Sequence, residues 1–180
     1  MQKLLIFSDM DGTIDKAKII DFVNLFNLIG KYCEKKGYSE FSFNIVTGAW
    51  DNCRDLYTDI FLEVQRIIGQ KFDFSIFTRL QSEEKIGIID SVVFSDVLPR
   101  GHDVSVEELE TITIGKEIIY FDDCPHVSLK NPSGKEYFES NYDVEFECVV
   151  PDRNIDSLVE YFEKKLTSDD IKRPLEKTIV

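Results

Sequence analysis

Apolar residues recur along this chain with two different periods, which predict strands and helices in turn. A continuous apolar run at residues 4–7 predicts a first strand, which ends at Ser8. Apolar residues then recur at helical spacing from Ile19 to Cys33, and Gly37 lies just beyond the end of this predicted helix. Alternation of apolar and polar residues over residues 41–46 predicts the second strand.

The same two periods continue towards the C-terminal end. Helical spacing predicts a second helix over residues 51–68, closed by Gly69. The pattern further predicts strands at residues 72–76, around 92–94, at 118–121 and at 144–150, and helices that start at Ser105 and cover 155–166. Residues 125–141 are rich in turn-forming residues and predict a loop, and the polar residues 167–180 show no clear period.

This order of elements defines a fold class. Strands that alternate with helices are typical of an α/β domain, in which helices cover both faces of a parallel, Rossmann-like sheet. We therefore predict a single domain over residues 1–168, followed by a polar tail over residues 169–180. In such sheets, ligands bind beyond the carboxyl ends of the strands.

Composition narrows the classes of partner. The 180 residues are 43% apolar, which suffices for a buried core, and they carry a net charge of −13. That charge argues against nucleic acids and anionic membranes as partners, because both are bound through clustered Lys and Arg. The apolar runs are too short to span a bilayer, and the N-terminus lacks a signal-peptide pattern. We therefore expect a cytoplasmic protein that does not bind membranes.

The four cysteines are too far apart in the sequence for a typical zinc site. None of them belongs to a C-x-x-C pair, and the chain has only two histidines as further ligands. We therefore expect reduced, partly buried thiols.

Polar motifs follow three of the predicted strands. They are Asp9-Met10-Asp11 after the first strand, Thr47 after the second, and Asp122-Asp123 after the strand at residues 118–121. Because side chains two apart on an extended chain point the same way, we expect Asp9 and Asp11 to face one point. Two such carboxylates repel each other unless a cation lies between them or one binds a proton. The alternative is an ordinary polar turn, since Asp and Gly are common turn residues.

In this order, the motifs resemble those of the haloacid dehalogenase-like (HAD) superfamily of phosphohydrolases. The family pattern is D-x-D-G-T, then Ser or Thr at a strand end, then a basic residue, then an acidic pair. Residues 9–13, which read DMDGT, match the first element fully, and the resemblance extends over residues 4–150. It implies a HAD-type parallel sheet. Because few residues separate the motifs, it also implies a small or absent cap and no large cap domain.

The resemblance implies a Mg²⁺-dependent phosphatase that acts on a phosphorylated small molecule or macromolecule. Asp9 would attack phosphorus and form an aspartyl-phosphate. Asp11 would protonate the leaving oxygen and then activate the hydrolytic water. Thr47 would donate its hydroxyl to a phosphoryl oxygen. The Mg²⁺ ligands would be Asp9, the backbone carbonyl of Asp11, and Asp122.

The basic residue of the family pattern is the weakest part of the match. Lys116 directly precedes the strand at residues 118–121, so we expect it at the N-terminal end of that strand, away from the site. Arg100 is the candidate for the phosphate-binding cation, with His102 second and Lys85 third. The alternative is that Arg100 is a solvated loop charge.

Two other functions agree with parts of the pattern. A HAD-fold binding or regulatory protein with weak or no catalysis would explain why no lysine stands at the expected place. A signalling receiver domain also has acidic residues and a parallel sheet. It fits poorly, because it would need a phosphorylatable Asp in the middle of the chain and a lysine after a late strand. The sequence leaves the substrate and the oligomeric state open.

Overall fold

A sheet of five parallel strands forms the centre of the fold. The computed structural model describes residues 2–47, 53–77, 115–125 and 129–175. The strands are β1 (Lys3–Ser8), β2 (Glu40–Val46), β3 (Asp73–Phe77), β4 (Gly115–Phe121) and β5 (Glu145–Val149). Their order across the sheet is β3-β2-β1-β4-β5, and every neighbouring pair is parallel. β1 is therefore the central strand.

Helices cover both faces of this sheet. They are α1 (Ile19–Lys36), α2 (Cys53–Ile68), α3 (Ser133–Tyr142), α4 (Ile155–Lys165) and α5 (Ser168–Lys172). Helices α1, α2 and α4 pack on one face, with α1 between the other two, and α3 packs on the opposite face. This arrangement confirms the predicted Rossmann-like α/β fold. Residues 9–18 link β1 directly to α1, so no cap domain is inserted at that point.

Strand β1 shows why the sheet needs cover on both faces. Its successive side chains point to opposite faces. Leu4 and Ile6 join the core under α1, whereas Leu5 and Phe7 join the core under α3. All four are at most 2% exposed. A strand that is apolar on both faces belongs in the interior of a parallel sheet, which is where β1 lies.

Aromatic rings fill the space between the sheet and the helices α1 and α2. The Phe26 ring of α1 lies 5.0 Å from that of Phe43 in β2 and 5.5 Å from that of Phe61 in α2, measured between centroids. Phe22 packs edge-on against Phe61 at 5.2 Å. Edge-to-face packing, as between Phe22 and Phe61, is one of the favoured arrangements of aromatic rings. These contacts join α1, α2 and β2 into one packed unit.

Helix α3 lies where the sequence predicts a loop, so that prediction is wrong. Gly134 and Phe138 are its buried residues, about one per turn, which is a narrower apolar stripe than the helical pattern requires. Phe138 stacks on Phe146 of β5 at 4.3 Å. Gly134 lies so close to Leu129 that an added Cβ would stand 2.4 Å from its carbonyl oxygen. Tertiary packing, more than local pattern, therefore stabilises this helix.

Helix α5 lies within the polar residues that show no period in the sequence. The Thr167 hydroxyl accepts a hydrogen bond from the Asp170 N–H at 3.1 Å, and the Asp170 carboxylate accepts one from the Thr167 N–H at 2.9 Å. The same carboxylate is paired with Lys35 of α1 at 3.1 Å. A capping box and an ion pair therefore define this short helix, which also packs Ile171 against the main core.

Strand β4 carries a buried acid at its N-terminal end. Glu117 is 7% exposed, and its carboxylate accepts hydrogen bonds from the hydroxyls of Tyr32 at 2.6 Å and Tyr38 at 2.9 Å. Burial, together with these hydrogen bonds, raises the pKa of both tyrosines, so both remain donors at neutral pH. Two phenol donors thus satisfy a charge that would be costly to bury alone.

The other predicted elements within the described residues are confirmed to within a few residues. Helices α1 and α2 end before Gly37 and Gly69, which have φ values of 75° and 66°. The strand predicted around residues 92–94 and the helix predicted at Ser105 lie outside the described residues. Among the helices that are described, none combines the length and the apolar character needed to cross a lipid bilayer.

We expect Phe61→Ala to lower the free energy of unfolding by about 3–5 kcal/mol, because the ring is fully buried and its removal leaves a cavity. The matched control is Leu62→Ala in the same helix. Leu62 is 51% exposed, so its truncation should cost less than about 1 kcal/mol. Urea unfolding followed by circular dichroism measures both values. Equal losses for the two variants would contradict the aromatic core described above.

Candidate functional site

The acidic motifs lie where the order of the strands reverses. From β1 the chain proceeds to β2 and β3 on one side, whereas β4 and β5 lie on the other side of β1. Asp9 directly follows β1, and Asp122 and Asp123 directly follow β4. In open parallel sheets, this reversal leaves a crevice beyond the carboxyl ends of the two strands, where ligands bind.

Three carboxylates meet in this crevice. Oxygen atoms of Asp9, Asp122 and Asp123 all lie within 4.8 Å of one another. Asp9 and Asp122 are two of the predicted site residues, and Asp123 is an addition to them. The sequence feature that points to Asp123 is its place in the acidic pair. On a regular strand, only one of two neighbouring side chains can face a given site. The chain bends after Phe121, so both members of the pair face Asp9.

Backbone hydrogen bonds continue the sheet beyond the strand ends and hold these residues in place. The N–H of Asp9 donates to the carbonyl of Phe121 at 2.8 Å, and the N–H of Asp122 donates to the carbonyl of Val149 at 3.2 Å. The buried Ser8 hydroxyl donates to the Asp9 carbonyl at 2.8 Å. Asp9 and Asp122 are therefore fixed by the same ladder that fixes β1, β4 and β5.

Both oxygens of the Asp122 carboxylate have hydrogen-bond donors. The N–H of Cys124 donates to Oδ1 at 2.9 Å, and the hydroxyl of Tyr120 donates to Oδ2. An ionised carboxylate can accept about four hydrogen bonds or ligand contacts, so each oxygen keeps acceptor capacity. Asp122 is thus oriented by the protein and still able to bind a cation.

The Asp9 carboxyl group lies in an unfavourable place for a negative charge. Its partial burial, the charge of Asp122 and a hydrogen bond with Asp123 raise its pKa from 3.8 to about 7, although the Met10 N–H favours the charged form. Without a metal ion, Asp9 therefore holds a proton over much of the range below neutral pH. A divalent cation between the carboxylates would favour the ionised form instead.

The turn after β1 packs tightly against the acidic pair. Gly12 has a φ of 74°, and a Cβ added to it would stand 2.2 Å from Oδ2 of Asp123. Any side chain at this position would displace that carboxylate. The neighbouring Thr13 hydroxyl is buried and has no hydrogen-bond partner in the described part of the chain. Gly is therefore required at position 12 by its close approach to Asp123.

Asp11 does not belong to the group of three carboxylates. The chain stops being extended after Ser8, because the Met10 carbonyl accepts the N–H groups of Ile14 at 3.0 Å and Asp15 at 3.1 Å in a tight turn. The Asp11 side chain is exposed on this turn. Asp11 is therefore not on an extended chain, and its side chain is not aligned with that of Asp9 by strand alternation. Its roles as proton donor and as a backbone metal ligand stay predictions.

Thr47 lies at the same edge of the sheet as the carboxylates. It directly follows β2, the neighbour of β1, and it is buried. β4 starts at Gly115, which places Lys116 near the N-terminal end of that strand, as predicted, and at the opposite end from Asp122. The candidate cations Arg100, His102 and Lys85 lie outside the described residues.

Fold and site together define a Rossmann-like α/β protein with an acidic site at the reversal of strand order. No protein-family model matches the chain, and no curated protein is significantly similar to it in sequence.

We expect Asp9 to make the metal-free protein less stable as the pH rises from the unfolded pKa of 3.8 towards the folded pKa of about 7. Below this range both states hold the proton, whereas within it the unfolded state releases the proton more readily than the folded state. Asp9→Asn, which resembles the neutral acid, should therefore gain stability relative to the wild type as the pH rises from about 4 to about 7. Thermal unfolding in EDTA at several pH values measures this difference.

Added MgCl₂ is the second arm of the same experiment. At about pH 8 it should raise the melting temperature of the wild type more than that of Asp9→Asn, because binding to the folded state stabilises it. A difference between the two proteins that stays constant with pH would contradict the raised pKa of Asp9.

Proposed function

We propose that this chain is a Mg²⁺-dependent phosphohydrolase of the HAD type, which hydrolyses a phosphomonoester through an aspartyl-phosphate. The observation that carries this proposal is the approach of the Asp9, Asp122 and Asp123 carboxylates to within 4.8 Å, directly after β1 and β4. Carboxylates at this distance repel one another unless a cation or a proton is shared. Asp9 is also the first residue of the D-x-D-G-T sequence.

The three carboxylates suit Mg²⁺ because they offer oxygen ligands, which this hard cation prefers. Asp9, Asp122 and Asp123 would hold the ion, together with the backbone carbonyl of Asp11. When bound, Mg²⁺ would neutralise negative charge on the phosphoryl group and on its attacking carboxylate. The raised pKa of Asp9, about 7, supports this assignment, because a bound cation would favour the ionised form that attack requires.

The residues of the chain divide the reaction between them. The Asp9 carboxylate attacks phosphorus, and the bond between phosphorus and the ester oxygen breaks. Asp11 donates its proton to that leaving oxygen. The ionised Asp11 then takes a proton from water, whose oxygen attacks phosphorus and breaks the bond to Asp9, so that inorganic phosphate leaves. The exposed position of Asp11 on its turn suits a group that must reach both the leaving oxygen and water.

Asp9→Asn should lower phosphatase turnover by on the order of 10⁴-fold, because an amide cannot form the phosphorylated intermediate. Asp122→Asn should raise the Mg²⁺ concentration needed for half-maximal activity, since one carboxylate ligand is lost. Phosphate release from p-nitrophenyl phosphate and from a panel of phosphomonoesters, with and without Mg²⁺, measures both effects.

Asp59→Asn is the matched control for these variants. It makes the same change of charge at an exposed position of α2, so it should keep wild-type activity. A wild-type protein inactive on the whole panel would count heavily against the proposal. Full activity of Asp9→Asn would remove Asp9 as the nucleophile.

A phosphate dianion needs a cation in a chain whose net charge is −13. If Arg100 supplies it, its planar fork would stabilise charge on the phosphoryl oxygens. Arg100→Ala should then lower turnover by about a hundredfold and leave Mg²⁺ binding nearly unchanged. Lys116→Ala, near the N-terminal end of β4, should leave turnover within a few-fold. Steady-state kinetics measures the turnover of both variants, and calorimetric titration measures their Mg²⁺ binding. A large loss of turnover in Lys116→Ala, together with wild-type turnover in Arg100→Ala, would contradict the assignment of Arg100.

A further inference from the structure

The Asn154 side chain joins two loops that are far apart in the sequence. Its Nδ2 donates a hydrogen bond to Oδ1 of Asp15 at 2.7 Å, and its Oδ1 accepts one from the N–H of Lys16 at 3.3 Å. These contacts, called here the Asn154–Asp15 bridge, link the loop that precedes α4 to the turn that follows β1. One amide therefore acts as donor and acceptor on the same turn.

Asn154 does not use its side chain for the usual task of its position. It is the N-cap residue of α4, where Asn commonly accepts a hydrogen bond from the first turn of the helix, but its side chain makes no such bond. Ser157 takes part in ordering this loop instead, because its hydroxyl accepts from the N–H groups of Arg153 at 2.9 Å and Asp152 at 3.3 Å. The Asn154 amide is thereby left to reach across to Asp15.

The side chain, and not the backbone, accounts for Asn at position 154. The backbone has a φ of 55° and a ψ of −141°, in a region that is essentially restricted to Gly, so Asn is held there under strain. Gly would suit that backbone but has no amide. Asp could accept from Lys16, but it could not donate to the carboxylate of Asp15.

The bridge continues into the candidate active site. Oδ1 of Asp15, the atom that accepts from Asn154, also accepts from the N–H of Gly12 at 3.1 Å. Gly12 in turn lies against the Asp123 carboxylate so closely that it has no room for a Cβ. Asp11 directly precedes Gly12. A chain of contacts thus runs from Asn154 through Asp15 to the turn that carries Asp11.

We propose that Asn154 is a positioning residue, which holds the turn of residues 10–16 so that Asp11 meets the phosphoryl group at the carboxylates. This inference rests on the proposed phosphohydrolase function. Asn154 acts through Asp15 and Gly12 and takes no part in bond making. Its loss should therefore slow the chemical step more than it weakens substrate binding.

The test uses three variants of the full chain. Asn154→Gly removes the amide without straining the backbone. Asn154→Asp keeps the size of the side chain but sets a second carboxylate against Asp15. The double variant Asp15→Asn/Asn154→Asp exchanges the two groups, so that an amide again meets a carboxylate and the net charge equals that of the wild type. For each variant, kcat and KM are measured in the presence of Mg²⁺, at a temperature well below the melting temperature of that variant. Amide hydrogen exchange is measured on the same proteins.

We expect kcat to fall about tenfold in Asn154→Gly and further in Asn154→Asp, with KM within about twofold, because a small misplacement of a catalytic group slows reaction strongly. The double variant should recover to within about threefold of the wild type. Exchange at the Gly12 amide should accelerate about tenfold in both single variants, and exchange at the Lys16 amide should accelerate about tenfold in Asn154→Gly, which has no acceptor for it. Exchange at Ile6 in β1 should stay constant.

Two results would overturn the inference. Wild-type kcat in Asn154→Gly, whatever its melting temperature, would show that the bridge does not position Asp11. A double variant as slow as the single variants would show that the pairing of residues 15 and 154 is not what matters. If the wild type hydrolyses no phosphomonoester, the proposed function fails by itself. Exchange at Gly12 then decides whether the bridge orders the turn, since that readout needs no activity, and unchanged exchange rejects it.

Discussion

The pairing of β1 with β4 decides where the acidic side chains meet. Both faces of β1 are apolar, so burial alone would not distinguish its register from one shifted by a residue. Hydrogen bonds from the Asp9 N–H to Phe121 and from the Asp122 N–H to Val149 extend the ladder one step past the strands. This extension keeps the two acidic residues side by side. The site is thus a direct consequence of strand register.

The neighbouring carboxylates lower the stability of the metal-free protein, and burial of the apolar core offsets this loss. Burial and the neighbouring acids raise the pKa of Asp9 to about 7, which reflects the cost of ionising it. The packed rings of Phe22, Phe26 and Phe61 lie between α1, α2 and the sheet, where apolar burial supplies most of the stability. A fold with such a core can keep mutually repelling groups in its loops, as functional sites commonly require.

What the sequence predicts well are elements with long, regular patterns, such as β1 and α1, whose apolar positions coincide with the core. Helix α3 is not predicted because it buries only about one residue per turn, and α5 is not predicted because a capping box and an ion pair define it. Some residues of the candidate site can likewise be predicted from the sequence, and others cannot. Asp9 and Asp122 follow strands and are found from the pattern, whereas Asp123 depends on a bend in the chain. The contact of Asn154 with Asp15 spans 139 residues, and no local pattern reveals it.

Two acids at opposite ends of the sheet have different surroundings. Glu117 is more deeply buried than Asp9, and two tyrosine hydroxyls donate hydrogen bonds to its carboxylate. These hydrogen bonds satisfy the carboxylate without a bound ligand. Asp9 has the Met10 N–H and two further carboxyl groups as neighbours. The hydrogen bonds of the tyrosines to Glu117 need no further group, whereas three neighbouring carboxylates repel one another unless a proton or a cation is bound between them. This difference, more than burial or charge alone, places the candidate chemistry at the carboxyl end of β1 and β4.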